Sequence, residues 1–127
     1  VYLTASCLSI PNLVLMYNRD MDTETLANIL LVLRNGLHQL LGDRLHAVYL
    51  YGSRARGDAH PDSDIDVLIV LKDDFDYGEM LDLTIDLVAD LSLQHDVVIS
   101  RAFVSMERFE HESSPFLMNV RREAIPA

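Results

Sequence analysis

Leucine or isoleucine stands at positions 26, 29, 30, 33, 37, 40 and 41, a recurrence every three or four residues that lines up one face of a helix. With Asp22 or Thr23 as N-cap and Gly42 as terminator, the pattern predicts a core-covering helix from Thr23. The period then changes. Leu45–Tyr51 (LHAVYLY) is apolar and rich in β-formers, so a first strand is expected there, and the apolar run Val67–Leu71 fixes a second strand beginning at Asp64. Leu81–Leu93 is ambiguous because LDLTIDL alternates like a strand. Its charges decide for a helix: Glu79, Asp82, Asp86 and Asp90 share one face, and Met80, Leu81, Thr84, Leu87, Val88 and Leu91 share the other. Asp96–Ser100 (DVVIS) reads as a third strand. Phe103–Ala127 reads as two short helices, the second opened by Ser114 with Pro115 at its first position and packed down by Phe116, Leu117 and Val120. Arg121 and Arg122 close that helix, where cations suit the dipole.

A helix between strands two and three makes them parallel, so both begin at one edge of the sheet. For the end of strand one to meet them there, strand one must run the opposite way. The expected fold is therefore α/β, a small mixed sheet flanked by helices in the order α-β-α-β-α-β-α.

At 127 residues and half hydrophobic, the chain is long enough for one buried core and too short for separate catalytic and acceptor-binding domains. Residues 1–21 are expected to be an extension outside the fold, with Met16 or Met21 as alternative starts, and 22–127 to form the domain. The apolar stretch at the beginning lacks a basic leader and contains Pro11-Asn12, so neither a targeting signal nor a membrane span is expected. Twenty acidic residues against ten basic ones give a formal charge of −10, which repels nucleic acid and anionic membranes and favours a basic protein partner. The single cysteine, Cys7, excludes an intrachain disulfide and fits a reducing cytoplasm.

The chemistry concentrates in Gly52–Asp66, GSRARGDAHPDSDID. Strand one delivers Gly52 and Ser53, a tight turn followed by a short helix with free N–H groups suited to phosphate oxygens. The period of two places Asp64 and Asp66 on one face at the start of strand two. Side by side they repel, which is costly unless a divalent cation lies between them. Hard oxygen ligands without a His/Cys set favour Mg²⁺ or Mn²⁺ over zinc. Arg54 and Arg56 can each pair with a triphosphate or with nearby aspartates; Arg54 is assigned to the nucleotide. Asp58, His60 and Asp62 fall outside the two-carboxylate spacing and read as loop residues. Asp73, Asp74 and Asp76 read as a solvated loop, and His38, His46 and His95 as structural or surface residues.

Gly52-Ser53, ten residues, then Asp64-Ile65-Asp66 resembles the signature of the polymerase β-like nucleotidyltransferase superfamily, and GSRARGD…PDSDIDVLIV is closest to its minimal, MNT-type members. The resemblance implies a third catalytic aspartate at the start of strand three, which is Asp96. It implies two Mg²⁺ ions on Asp64, Asp66 and Asp96, ATP as substrate with its phosphates on Gly52 and Ser53, and transfer of AMP to a tyrosine of a HEPN-domain ribonuclease toxin. The chain would then be the antitoxin of a toxin–antitoxin pair, a hetero-oligomer. Two alternatives stand beside this reading: a catalytically idle module that neutralises a partner by occlusion, and a nucleotidyltransferase acting on a small molecule.

Overall fold

A computed structural model describes residues 22–127; the expected extension, 1–21, and Cys7 lie outside the described residues. Helix α1 runs Thr23–Leu41, capped by Asp22, whose side chain accepts a hydrogen bond from the Thr25 N–H at 2.7 Å. Ile29, Leu30, Leu33, Leu37 and Leu41 are its buried face, while Leu40, placed in the same stripe by spacing, is 45% exposed. Gly42 ends the helix with φ 54° and donates its N–H to the His38 carbonyl.

A single 3₁₀ turn, Gly42–Arg44, leads into β1 (Leu45–Tyr51). There follow α2 (Ser53–Arg56), β2 (Ile65–Leu71), α3 (Tyr77–His95), β3 (Ile99–Ser105), α4 (Met106–His111), α5 (Pro115–Glu123) and β4 (Ile125–Pro126). The sheet order is β3-β2-β1-β4. β2 pairs antiparallel with β1, Tyr51 opposite Asp66, and parallel with β3, Asp66 beside Ser100. The mixed α/β sheet flanked by helices is thus as the sequence predicts, with β4 added.

β2 lies inside the sheet between β3 and β1, and its apolar run Val67–Leu71 has a direct cause. Ile65, Val67, Ile69 and Leu71 face the core under α1 and α3, together with Val48, Leu50 and Phe103. Leu68 and Val70 face the opposite core, with Val104, Leu117 and Val120. A strand covered on both faces has no polar side to alternate with.

Three boundaries differ from expectation. β2 begins at Ile65, not Asp64, and β3 begins at Ile99, not Asp96, extending through Phe103 to Ser105. The DVV of DVVIS is therefore not strand: the Asp96 N–H bonds the Ser92 carbonyl as the C-cap of α3, with φ 52°, and the chain joins β2 only when Ile65 N–H reaches the Val98 carbonyl. Asp76 is no mere loop acid; its side chain accepts from Glu79 N–H as the N-cap of α3. The fourth strand escaped the sequence pattern because two residues carry no periodicity.

Among the described residues no helix is long and apolar enough to cross a membrane.

Candidate active site

Gly52 leaves β1 with φ 75°, a conformation that costs an ordinary residue about 1–2 kcal/mol. The strand must turn at once into α2, and the Gly52 carbonyl accepts the N–H groups of Ala55 and Arg56 at 3.0 Å. A second constraint acts on the same atom: a side chain at this position would run into the Asp66 carboxylate. Gly52 and the second aspartate of the spacing are therefore packed together at one sheet edge, as antiparallel β1 and β2 require.

Asp64 is exposed and Asp66 half-buried. Burial pushes the Asp66 carboxyl above the ordinary carboxylate range; Asp64 pushes it further, Arg56 pulls it back, and Glu123 adds a smaller push. Burial also raises the Tyr51 phenol, with Asp66 and Tyr77 adding to it. Tyr51 meets Phe116 edge to face, ring centres 5.6 Å apart, so an aromatic pair flanks the turn.

Arg54, assigned to the nucleotide from sequence, is turned onto the connector. Its Nη2 donates to the Ser63 carbonyl at 2.9 Å and the His60 carbonyl at 3.5 Å, and its Nε is buried without a partner. It braces the loop that leads into Asp64. Arg56 is the arginine directed to a carboxylate of the site: Nη1 donates to Glu123 Oε2 at 2.8 Å, and Nε to Asp58 at 3.2 Å.

Asp96 is the C-cap of α3, while Asp66 pairs with Ser100 of β3 and has its pKa shifted by burial, Asp64, Arg56 and Glu123. Asp96 lines a shallow depression with Pro61, Asp62, Ser63, Val97 and Val98, adjoining Asp64 along the chain. The expected convergence of Asp64, Asp66 and Asp96 is not formed: among the described residues no three acidic, histidine or cysteine side chains are close enough together to hold a metal ion. The reason is that Asp96 belongs to a helix end and not to a strand edge level with Asp66.

Glu123, on no motif, is the residue the sequence reading missed. Its Oε2 also accepts the Gly52 N–H at 2.9 Å, 71 positions away in sequence. One signal was available: an acid in the last turn of a helix opposes the dipole, so its presence there calls for compensation by a partner elsewhere.

Asp64 and Asp66 are a hard-oxygen pair at the mouth of an amide-bearing turn, and two carboxylates plus substrate phosphates suffice for Mg²⁺. The donor chemistry fits that ion.

A structure of a nucleotidyltransferase candidate from Sulfolobus solfataricus superposes with TM-score 0.52 at 18% identity, over 79% of each chain, and shares the fold. A crystal structure of a toxin–antitoxin with AMP-PNP superposes with TM-score 0.49 at 24% identity, over 72% of this chain and 69% of that one. In sequence, a Methanocaldococcus jannaschii protein provisionally named a protein adenylyltransferase is 40% identical over 90 residues, 70% of this chain and 84% of its own length. The model of the polymerase beta nucleotidyltransferase family matches residues 37–113, a span that runs from α1 through Gly52, Ser53, Asp64 and Asp66 to the end of β3 and beyond, and the chain belongs to that family.

Proposed function

We propose that the chain transfers AMP from ATP to a hydroxyl of another protein, and that the acceptor is a tyrosine of a HEPN toxin for which it is the antitoxin. The observation that supports the reading is the packing of Gly52 on Asp66, which sets the glycine turn of the motif beside the second of its two carboxylates. The named relative supports a protein acceptor. The HEPN partner rests on the MNT-type wording GSRARGD…PDSDIDVLIV and on the charge of −10, which suits a basic RNA-cleaving protein. A cytoplasmic setting accords with ATP as substrate.

In this reading Gly52 and Ser53 hold the β- and γ-phosphates, Gly52 by letting them approach the turn closely, since its own N–H is taken by Glu123, and Ser53 by donating to them. Asp64 and Asp66 hold Mg²⁺, which when bound neutralises charge on the phosphates. The acceptor oxygen bonds to the α-phosphorus as the bond to pyrophosphate breaks, and Asp96 at the rim takes the hydroxyl proton. Docking of the partner would place the hydroxyl against the α-phosphate.

The second reading is an idle module that neutralises its partner by occlusion; that the described residues hold no group of three acidic, histidine or cysteine side chains fit for a metal ion favours it. Intact-mass spectrometry separates the two. With ATP and Mg²⁺, a co-expressed HEPN partner should gain the mass of one or more AMP units, and Asp64→Asn/Asp66→Asn should abolish the gain. No adduct, together with full neutralisation by both wild type and the double variant, would leave only the module.

A further inference from the structure

We propose that Glu123 is a positioning residue for the nucleotide's β- and γ-phosphates, acting through Arg56 and the Gly52 turn; the inference rests on the nucleotidyltransferase reading above.

One oxygen of Glu123 receives both the Gly52 N–H at 2.9 Å and Arg56 Nη1 at 2.8 Å. The backbone that carries it is fixed on both sides. Before it, α5 is capped by the Ser114 side chain and anchored by Leu117 and Val120, which are 1% and 2% exposed. After it, Ile125 and Pro126 pair with Leu50 and Tyr49 of β1, just ahead of Tyr51 and Gly52. The carboxylate is therefore set by the core and the sheet, and its side chain is only 18% exposed.

Arg56 is the opposite case. It ends a four-residue helix and its side chain is 47% exposed, so alone it would sample many rotamers and lose that freedom when fixed. Glu123 holds Nη1, Asp58 holds Nε, and Nη2 is engaged by neither. The guanidinium so held is close enough to Asp66 to act on its charge. Because one carboxylate oxygen holds both this guanidinium and the Gly52 N–H, a triphosphate held at the Gly52 turn would lie beside the arginine, and an arginine fixed beforehand gives up less entropy per phosphate contact. Gly52 gains too, because the bond to Glu123 fixes the peptide from which the turn starts.

The test is calorimetric titration of the purified chain with ATP and with AMP, each with Mg²⁺. Glu123→Ala should weaken ATP about tenfold, the worth of one charge-assisted contact, and AMP less than about twofold. Glu123→Gln keeps an acceptor for Gly52 but loses the charge facing Arg56, and should fall between wild type and Glu123→Ala; it carries the same comparison if the alanine variant does not fold. In an Arg56→Ala background, Glu123→Ala should cost clearly less ATP affinity than it does in the wild-type background, leaving only the share that runs through Gly52. Equal losses for ATP and AMP, or none, would show a merely structural carboxylate, and additive losses would show that Arg56 is not the intermediary. Tighter ATP binding by Glu123→Ala would show that the carboxylate competes with phosphate. Each of these three results overturns the inference while leaving the nucleotidyltransferase reading standing; a wild-type chain that binds no Mg²⁺·ATP overturns both.

Discussion

The carboxylate of Asp66 lies where a side chain on Gly52 would have to stand. The two residues are 14 positions apart in sequence, and antiparallel pairing of Tyr51 with Asp66 brings them together. The closeness makes the turn and a candidate metal ligand one geometric unit, so a side chain added at Gly52 must displace Asp66.

Gly52→Ala should therefore fail in two ways. Left-handed φ at a residue with a Cβ costs about 1–2 kcal/mol, and the methyl must displace Asp66 or reopen the turn. We expect a lowered melting temperature and loss of Mg²⁺·ATP binding, read by thermal denaturation and calorimetry.

Asp66→Asn should abolish transfer yet raise stability without metal. The Asp66 carboxyl is raised above its ordinary value by burial first and Asp64 second, so between the unfolded and folded pKa the native state holds more proton than the unfolded one. Stability from this group is present at low pH and declines as pH rises through the folded value. The variant should thus melt above wild type at pH 7, with the gap closing toward the acid range. Added Mg²⁺ should stabilise wild type and leave the variant unchanged. Melting curves across pH, with and without Mg²⁺, check each part.

Asp96 caps α3 and is proposed as the acceptor's base, and glycine separates the two roles. With φ 52° it is the only described non-glycine residue at positive φ, where glycine is preferred by about 1 kcal/mol over a residue with a side chain. Asp96→Gly should be as stable as wild type or more so. If the carboxylate serves as the acceptor's base, the transfer rate drops steeply while ATP affinity changes little; an unchanged rate would reduce Asp96 to a helix cap.

Arg54→Ala should act on stability and not on phosphate affinity. Releasing the Ser63 and His60 carbonyls loosens the connector before Asp64, with an expected cost of about 1–2 kcal/mol. Denaturant unfolding measures the cost, and an equal fall in ATP and AMP affinity, or none, separates bracing from direct phosphate contact.

The sequence by itself determined the elements whose signal is local. Helix α1 follows from its leucine spacing and its two caps, β1 and β2 from short apolar runs bounded by turn residues, and α3 from the separation of its acids. The turn and the carboxylate pair were legible for the same reason: a fixed spacing across a short connector constrains where both ends can lie. What only the tertiary structure decided depends on residues far apart in the chain. Arg56, and not Arg54, reaches a carboxylate of the site, because the partner, Glu123, arrives on a helix 67 positions later. Strand β4 exists because β1 offers an open edge to two residues without periodicity of their own. Asp96 reads in sequence as the start of a strand, since a helix that stops in a left-handed residue and a strand that opens with an acid can share the same letters. Only the Asp96 N–H bond back to Ser92 and the register of Ile65 on Ile99 tell them apart.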